Sequence, residues 1–254
     1  VIGVLVEEDK LGKRAVVILK GFPCSWGKCI FCPFIIEQSC RTSEIITTNS
    51  AVIKQAIEVV NRQQIDRVAV FNGSSFHELP FVSIDELTSV SEGRIFEIEE
   101  RSEFVNRRSV VSLLKLLRPR KLIIRIGFEN YYESVRNDYL RKGIPQSEIL
   151  RIAELRRMLS EEGLPVELWT YVLFGMEGIS EESVKYSVIK FKEILDGVIA
   201  VKYHRYLPNH PEESSVSKDL AEFLERECNL VDWGGEEWVF GGEEREGGEE
   251  KGSV

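Results

Sequence analysis

Six apolar, β-branched runs, each followed by an amphipathic helical pattern, predict an α/β protein built on a parallel sheet. Each run also ends in a glycine or polar segment, at the edge where parallel sheets gather their ligands. The length of 254 residues, with 43% hydrophobic and 30% charged residues, suits one domain with a sizeable core. Short connectors imply right-handed crossovers, and six units are too few for a complete eight-stranded barrel. No internal repeat is visible.

The first strand is predicted at 15–19, an unbroken apolar run of the kind buried on both faces. Gly21 and Pro23 end it, and the loop that follows carries Cys24, Cys29 and Cys32 within nine residues. Residues 36–48 read as irregular. Asn49 or Ser50 can cap a helix whose face carries Val52, Ile53, Ala56, Ile57 and Val60, ending near Asn61. A second strand at 66–71 runs into Asn72-Gly73-Ser74-Ser75-Phe76, and a short helix follows at 84–90. The third strand, 94–98, leads into Glu99-Glu100-Arg101-Ser102-Glu103-Phe104; a helix at 110–117 stops at Pro119. The fourth, 121–126, ends in Gly127-Phe128-Glu129-Asn130. Helices at 133–140 and 145–162 flank Gly143. The fifth strand, 165–174, runs into Gly175-Met176-Glu177-Gly178. A helix from Ser180 and a sixth strand at 198–203 complete the alternation, with His204 just beyond as a candidate substrate contact. The core domain is placed at 1–230. The Gly/Glu-rich tail at 231–254 cannot bury apolar surface and is expected to be disordered.

The formal net charge of -9 argues against a surface that embraces nucleic acid throughout. Arg107, Arg108, Lys115, Arg118, Arg120 and Lys121 nevertheless form a local basic run, which reads equally as a solvated helix face. Nothing approaches the roughly 18 consecutive apolar residues of a membrane span. The N-terminus lacks a basic segment followed by a long apolar run, and three of the five cysteines are clustered. These features point to metal ligation in a reducing cytoplasm rather than to a disulfide framework.

Three cysteines on a Gly/Pro loop can present thiolates to one metal centre. With Cys40 as a fourth ligand they could instead form a structural zinc site. The Cys-x4-Cys-x2-Cys pattern, with Phe31 before the last cysteine, resembles the cluster loop of the radical SAM superfamily, with one residue more than the commoner spacing. Cys29-Ile30-Phe31-Cys32-Pro33 is similar to the loop of the Elongator-catalytic-subunit and methylthiotransferase-like branch. The resemblance covers roughly residues 14–210, and its order of segments resembles the radical SAM family that assists archaeosine synthase in tRNA modification.

The resemblance implies a partial (β/α)6 TIM-like barrel. It also implies a 4Fe–4S cluster held by Cys24, Cys29 and Cys32, with S-adenosylmethionine (SAM) on the iron left without a protein ligand. By the same resemblance Asn72, Gly73, Ser74 and Ser75 contact the SAM amino group, Glu99 and Arg101 line the SAM site, and Glu129 and Gly175 complete it. Glu100 and Glu103 read as solvated charge. The expected activity is reductive SAM cleavage to a 5′-deoxyadenosyl radical that abstracts a substrate hydrogen. A ferredoxin- or flavodoxin-like electron donor and a tRNA or tRNA-modifying partner are expected, and no membrane. The competing readings are a small-metabolite substrate and a non-catalytic zinc module held by all four cysteines. A methyltransferase or methylthiotransferase is disfavoured, because Cys40 is the only spare cysteine near the site and Cys228 is remote.

Overall fold

A computed structural model describes residues 2–234. Eight strands form one sheet in the order of the sequence, open between its first and last strands. Strands β1 (Gly3–Asp9) and β2 (Gly12–Ile18) are an antiparallel hairpin turned by Lys10 and Leu11. β3 (Arg67–Phe71), β4 (Ile95–Glu100), β5 (Lys121–Glu129), β6 (Val166–Phe174), β7 (Gly197–Lys202) and β8 (Leu230–Asp232) then follow, every pair from β2 onward parallel. The six predicted strands are β2 to β7. The hairpin strand β1 and the three-residue β8 extend the barrel at its two edges.

The helices are α1 (Thr42–Gln63), α2 (Phe81–Glu86), α3 (Thr88–Ser91), α4 (Arg107–Leu117), α5 (Gln146–Glu161), α6 (Glu181–Ile194) and α7 (Lys218–Glu227). They cover the outer face of the sheet, and their apolar stripes meet outward-facing strand residues such as Val68, Val70, Phe96 and Ile98 in the main core. Among the described residues no helix is long and apolar enough to cross a membrane.

Helix α1 begins seven residues before the Asn49 cap expected from the sequence. The segment Ile45-Ile46-Thr47-Thr48 is β-branched and reads poorly as helix. Tertiary contacts override that preference: Ile45 is fully buried, and Glu44 in the first turn pairs with Lys20 at 2.5 Å and accepts from Ser39. Asn49 is no cap. Its amide brackets Lys20, Oδ1 accepting from the backbone N–H and Nδ2 donating to the carbonyl, and so fixes the chain leaving β2. The helix expected at 133–140 is a π-helical turn, Ser134–Tyr139, wound around the buried Arg136. Arg136 donates to the carbonyls of Asn130, Tyr131 and Ile144. The tail from residue 235 lies outside the described residues, and β8 carries the sheet across the expected boundary at 230.

Inside the barrel the side chains are only partly apolar. One small cluster joins Val16, Ile18, Ala69 and Phe71, and another joins Ile123, Trp169, Ile199 and Leu230. Between them Glu97, 1% exposed, takes ion pairs from Arg67 and Arg125, and Arg67 also reaches Asp9 at 2.5 Å. Arg14 bonds Glu7 at 2.8 Å beside them. This ionic layer is the floor on which the site stands.

Candidate functional site

Above the floor, at the C-terminal ends of the strands, lies a cavity of about 440 Å³. The three cysteines of the loop after β2 open onto it, whereas Cys40 is exposed and outside it. Cys228 is buried near β8, its thiol pushed up to about 12 by burial, and is not part of the wall. Burial likewise raises Cys29, against the opposing pull of Lys142, and pushes Cys32 up to about 12. These thiols surrender their protons when a metal replaces them.

Contacts from three other segments hold the loop. Trp26 Nε1 donates to the Arg141 carbonyl at 2.7 Å, and its ring lies between Arg101 (5.0 Å) and Lys28 (4.8 Å). Glu78 takes the Ser25 N–H on one oxygen and the Ser75 N–H on the other, both at 2.9 Å, tying the cysteine loop to the turn after β3. Ile30 N–H donates to the Leu140 carbonyl. Gly21 lies so close to the β3 turn that a Cβ there would sit 2.4 Å from the Asn72 carbonyl. Gly73, at φ +68°, leaves the same lack of room against Phe34.

The remaining predicted residues divide. Gly73, Ser74, Ser75, Glu99, Arg101 and Glu129 line the cavity. Asn72 and Gly175 lie just behind that lining. Asn72 is buried and props the turn, donating to Ser74 Oγ and the Ser75 carbonyl. The carbonyl of Gly175 takes Lys202 Nζ at 3.4 Å, and it is Lys202 that reaches the wall. Glu100 is corrected. It is 3% exposed, pairs with His77 and meets the edge of the cavity, whereas Glu103 is on the surface beside Arg101. His204 reaches the rim, with Nε2 on the Trp233 carbonyl at 2.7 Å.

Glu129 owes its direction to a bulge. The ladder between β5 and β6 shifts between Ile126 and Glu129, and Glu129 adopts φ +66°, which re-aims its side chain at the cavity. There it meets Lys142 at 3.2 Å. Lys142 is buried, lies over the Phe31 ring and was not anticipated from sequence. It sits on an irregular connector that no periodicity marks, positioned by Arg101 donating to its carbonyl at 3.0 Å. Arg125 and Tyr171 were also missed, because each lies in the interior of a strand read as buried rather than at its polar end. Tyr171 donates to Glu99 and accepts from Arg125 at 3.4 Å.

Three cysteine thiols from one loop on one wall are donors that an iron–sulfur cluster can use. Tetrahedral zinc draws its thiolates to about 3.8 Å from one another. Among the described residues no group of three Cys, His, Asp or Glu side chains is set to hold a single ion. A multi-iron cluster is bound at its corners, and thiolates along one wall fit that requirement.

The sequence matches no family model. It is 24% identical over 201 residues to an uncharacterized protein of Methanocaldococcus jannaschii, matching 73% of this chain and 53% of the relative. The chain thus spans about half the length of the relative it matches. Among solved structures it is similar to queuine lyase from Clostridium spiroforme bound to SAM and queuine, with TM-score 0.66 and 22% identity over 89% of this chain and 88% of that one. A radical SAM methyltransferase from Sphaerobacter thermophilus gives 0.58 with 12% identity, over 90% and 68% of the two chains. The radical SAM enzyme coproporphyrinogen III oxidase from Escherichia coli gives 0.54 with 13% identity, over 84% and 51%. At these identities the shared property is the fold: the TIM-like barrel of radical SAM enzymes.

Proposed function

We propose that this chain is a radical SAM enzyme acting on a small molecule. The observation that carries the reading is the opening of Cys24, Cys29 and Cys32, from one loop, onto a cavity at the ligand-binding end of that barrel. These cysteines would hold a 4Fe–4S cluster. With SAM at its open iron, such a cluster supplies reductive cleavage of the sulfonium to methionine and a 5′-deoxyadenosyl radical that abstracts a substrate hydrogen.

The chain's own part is to bind, orient and exclude water. Lys142 and Arg101 are the cations beside the cysteines and would receive the SAM carboxylate. Gly73 and the hydroxyls of Ser74 and Ser75 allow backbone approach to its amino group, and Glu129 accepts from its donors. Glu99 projects from inside β4 toward Tyr171, below the level of Arg101, and is left for the substrate. Reduction falls to a ferredoxin- or flavodoxin-like donor.

A tRNA substrate draws little support from the basic run. Arg107, Arg118, Arg120 and Lys121 are each paired, with Glu162, Glu92, Asp66 and Glu167 respectively. The last three of these cations lie where α4 enters β5, at the end of the barrel opposite the cavity. The queuine lyase, bound to SAM and queuine, supports a small ligand beside SAM.

The test is anaerobic reconstitution. Iron and sulfide near four per chain, a reduced paramagnetic signal that SAM perturbs, and 5′-deoxyadenosine on reduction are expected. Stoichiometric zinc without labile sulfide would sink the reading.

A further inference from the structure

The charges on the cavity wall can be balanced one by one. Arg14 is bonded to Glu7, Arg125 to Glu97, Arg101 to Glu103, Lys142 to Glu129 and Lys202 to Glu213. Every lysine and arginine of the wall therefore already has its carboxylate. Of the acids, Asp9 faces Arg67 and Glu100 faces His77. Two carboxylates of the wall are left with no ion-pair partner among the described residues, Glu99 and Asp232.

They lie at different depths. Glu99 stands inside the barrel opposite Arg125 in the β4–β5 ladder, and among the described residues its one hydrogen-bond donor is Tyr171. Arg125, 4% exposed, leaves Nε without a partner. That Nε is sealed from the cavity, so the deep end offers one acceptor, Glu99, the complement of a hydroxyl or an amide N–H. Asp232 ends β8 at the mouth, exposed, with one oxygen taken by the Gly234 N–H at 2.9 Å. Beside it is Trp233, braced edge-on against Phe174 at 5.1 Å and itself part of the wall. A carboxylate next to an aromatic face favours an organic cation. Between the two ends the wall is apolar: Ile199, Val201 and Leu230.

We infer that the substrate is a small organic amine with an apolar or aromatic body. Its ammonium group lies at Asp232 and Trp233, and a hydroxyl or amide N–H at its other end donates to Glu99. This rests on the radical SAM reading only for the word substrate; the binding claim stands on the wall itself. With Lys142 and Arg101 assigned to the SAM carboxylate, the other wall cations, Arg14, Arg125 and Lys202, each hold a carboxylate, and Asp232 at the mouth would repel an acid or a phosphate.

The experiment uses three probes that share a skeleton and differ in charge: tyramine, tyrosol and 4-hydroxyphenylacetate. Their binding to the reconstituted full-length protein is followed by calorimetry at saturating SAM. Tyramine is expected to bind at least tenfold tighter than tyrosol, and 4-hydroxyphenylacetate more weakly still. Asp232→Asn, which keeps an acceptor for the Gly234 N–H, should bring tyramine down to the level of tyrosol, leaving tyrosol and SAM unchanged. Glu99→Gln should weaken tyramine and tyrosol alike. Equal or tighter binding of the acid overturns the inference. So does a preference for tyramine that survives in Asp232→Asn, or no binding of any probe at millimolar concentration. Iron content and 5′-deoxyadenosine are read on the same samples. The charge preference can therefore fail while SAM cleavage succeeds, or the reverse, and the two claims are separable.

Discussion

Replacing Gly143 by alanine should disarm the cysteine loop from a position that carries no ligand. Gly143 has φ +63°, and a Cβ there would lie 2.1 Å from two ring carbons of Trp26. The left-handed conformation alone costs an alanine about 1 kcal/mol. The collision costs more, because the ring must leave its place. Trp26 then gives up its hydrogen bond to Arg141, worth about 1 kcal/mol, and its stacking against Arg101 and Lys28, about 0.5–1 kcal/mol each. The sum is about 3 kcal/mol, most of it confined to the loop between Cys24 and Cys29. The matched control is Gly163→Ala. Gly163 has φ +66° with nothing within 4 Å of a built Cβ, so it bears the backbone cost alone. Both variants are reconstituted, assayed for iron and sulfide, and unfolded in denaturant. Gly163→Ala should lose about 1 kcal/mol and keep its iron. Gly143→Ala should fall severalfold in iron while its global unfolding shifts little more than the control. Full iron uptake by Gly143→Ala would refute the claim that Trp26 organises the cysteines.

Other expectations follow from the same wall. Cys29→Ala should abolish cluster assembly while Cys40→Ala leaves iron unchanged, since only the former faces the cavity; equal loss in iron assays would restore the four-cysteine reading. Arg101→Ala should weaken SAM by about 1.5–3 kcal/mol, the worth of a charge-assisted hydrogen bond, with unchanged iron. Unaltered affinity in equilibrium dialysis would remove Arg101 from the site. The floor predicts an acid limb of stability. Despite the burial that opposes ionisation, Glu97 is held below the usual carboxylate range by Arg125 and Arg67, and Asp9 by Arg67. Carboxylates depressed in the folded state stabilise it above their unfolded values, near pH 4, and that stability is lost as pH falls through the folded ones. Glu97→Gln should cost about 3–5 kcal/mol at neutral pH and flatten the acid limb. A denaturant midpoint that falls as steeply below pH 4 in the variant as in the parent contradicts this.

The six central strands were legible because their apolar runs are buried on both faces, and the polar ends of those strands marked the edge where the cavity lies. The loop after β2 was legible from Gly21 and Pro23 at the strand's end, and its chemistry was read from the cysteine spacing together with the segments that follow. What escaped was set by tertiary partners. Helix α1 starts at Thr42 because Glu44 finds Lys20 and Ser39, against the β-branched preference of the segment. The side-chain amide of Asn72 holds the turn after β3, a structural use that its place after a strand does not announce. Lys142 lies on a connector whose course depends on Arg136 binding three carbonyls, something no local pattern encodes. Glu100 and Glu99 are adjacent, and strand alternation gives one to His77 and the other to Tyr171, a distinction a charge run conceals.

The charges inside the strands also explain why there is a cavity at all. A complete barrel fills its lumen with layers of branched apolar side chains and leaves no space for a ligand. Here Arg14, Arg67, Glu97 and Arg125 occupy the layer where such packing would begin. Ion pairs of this kind are weak stabilisers compared with an apolar layer, because desolvation offsets most of their attraction. Their geometry, however, is fixed by directional bonds, and a paired floor does not collapse upward as loose apolar side chains would. The gap between β1 and β8 acts in the same direction, since an open sheet does not force the upper side chains together. A wall built this way can hold one bulky cofactor against the cysteines and still leave Glu99 and Asp232 unpaired. Stability given up in the lumen is recovered on the outside, where the helices and the outward strand faces form one continuous apolar core.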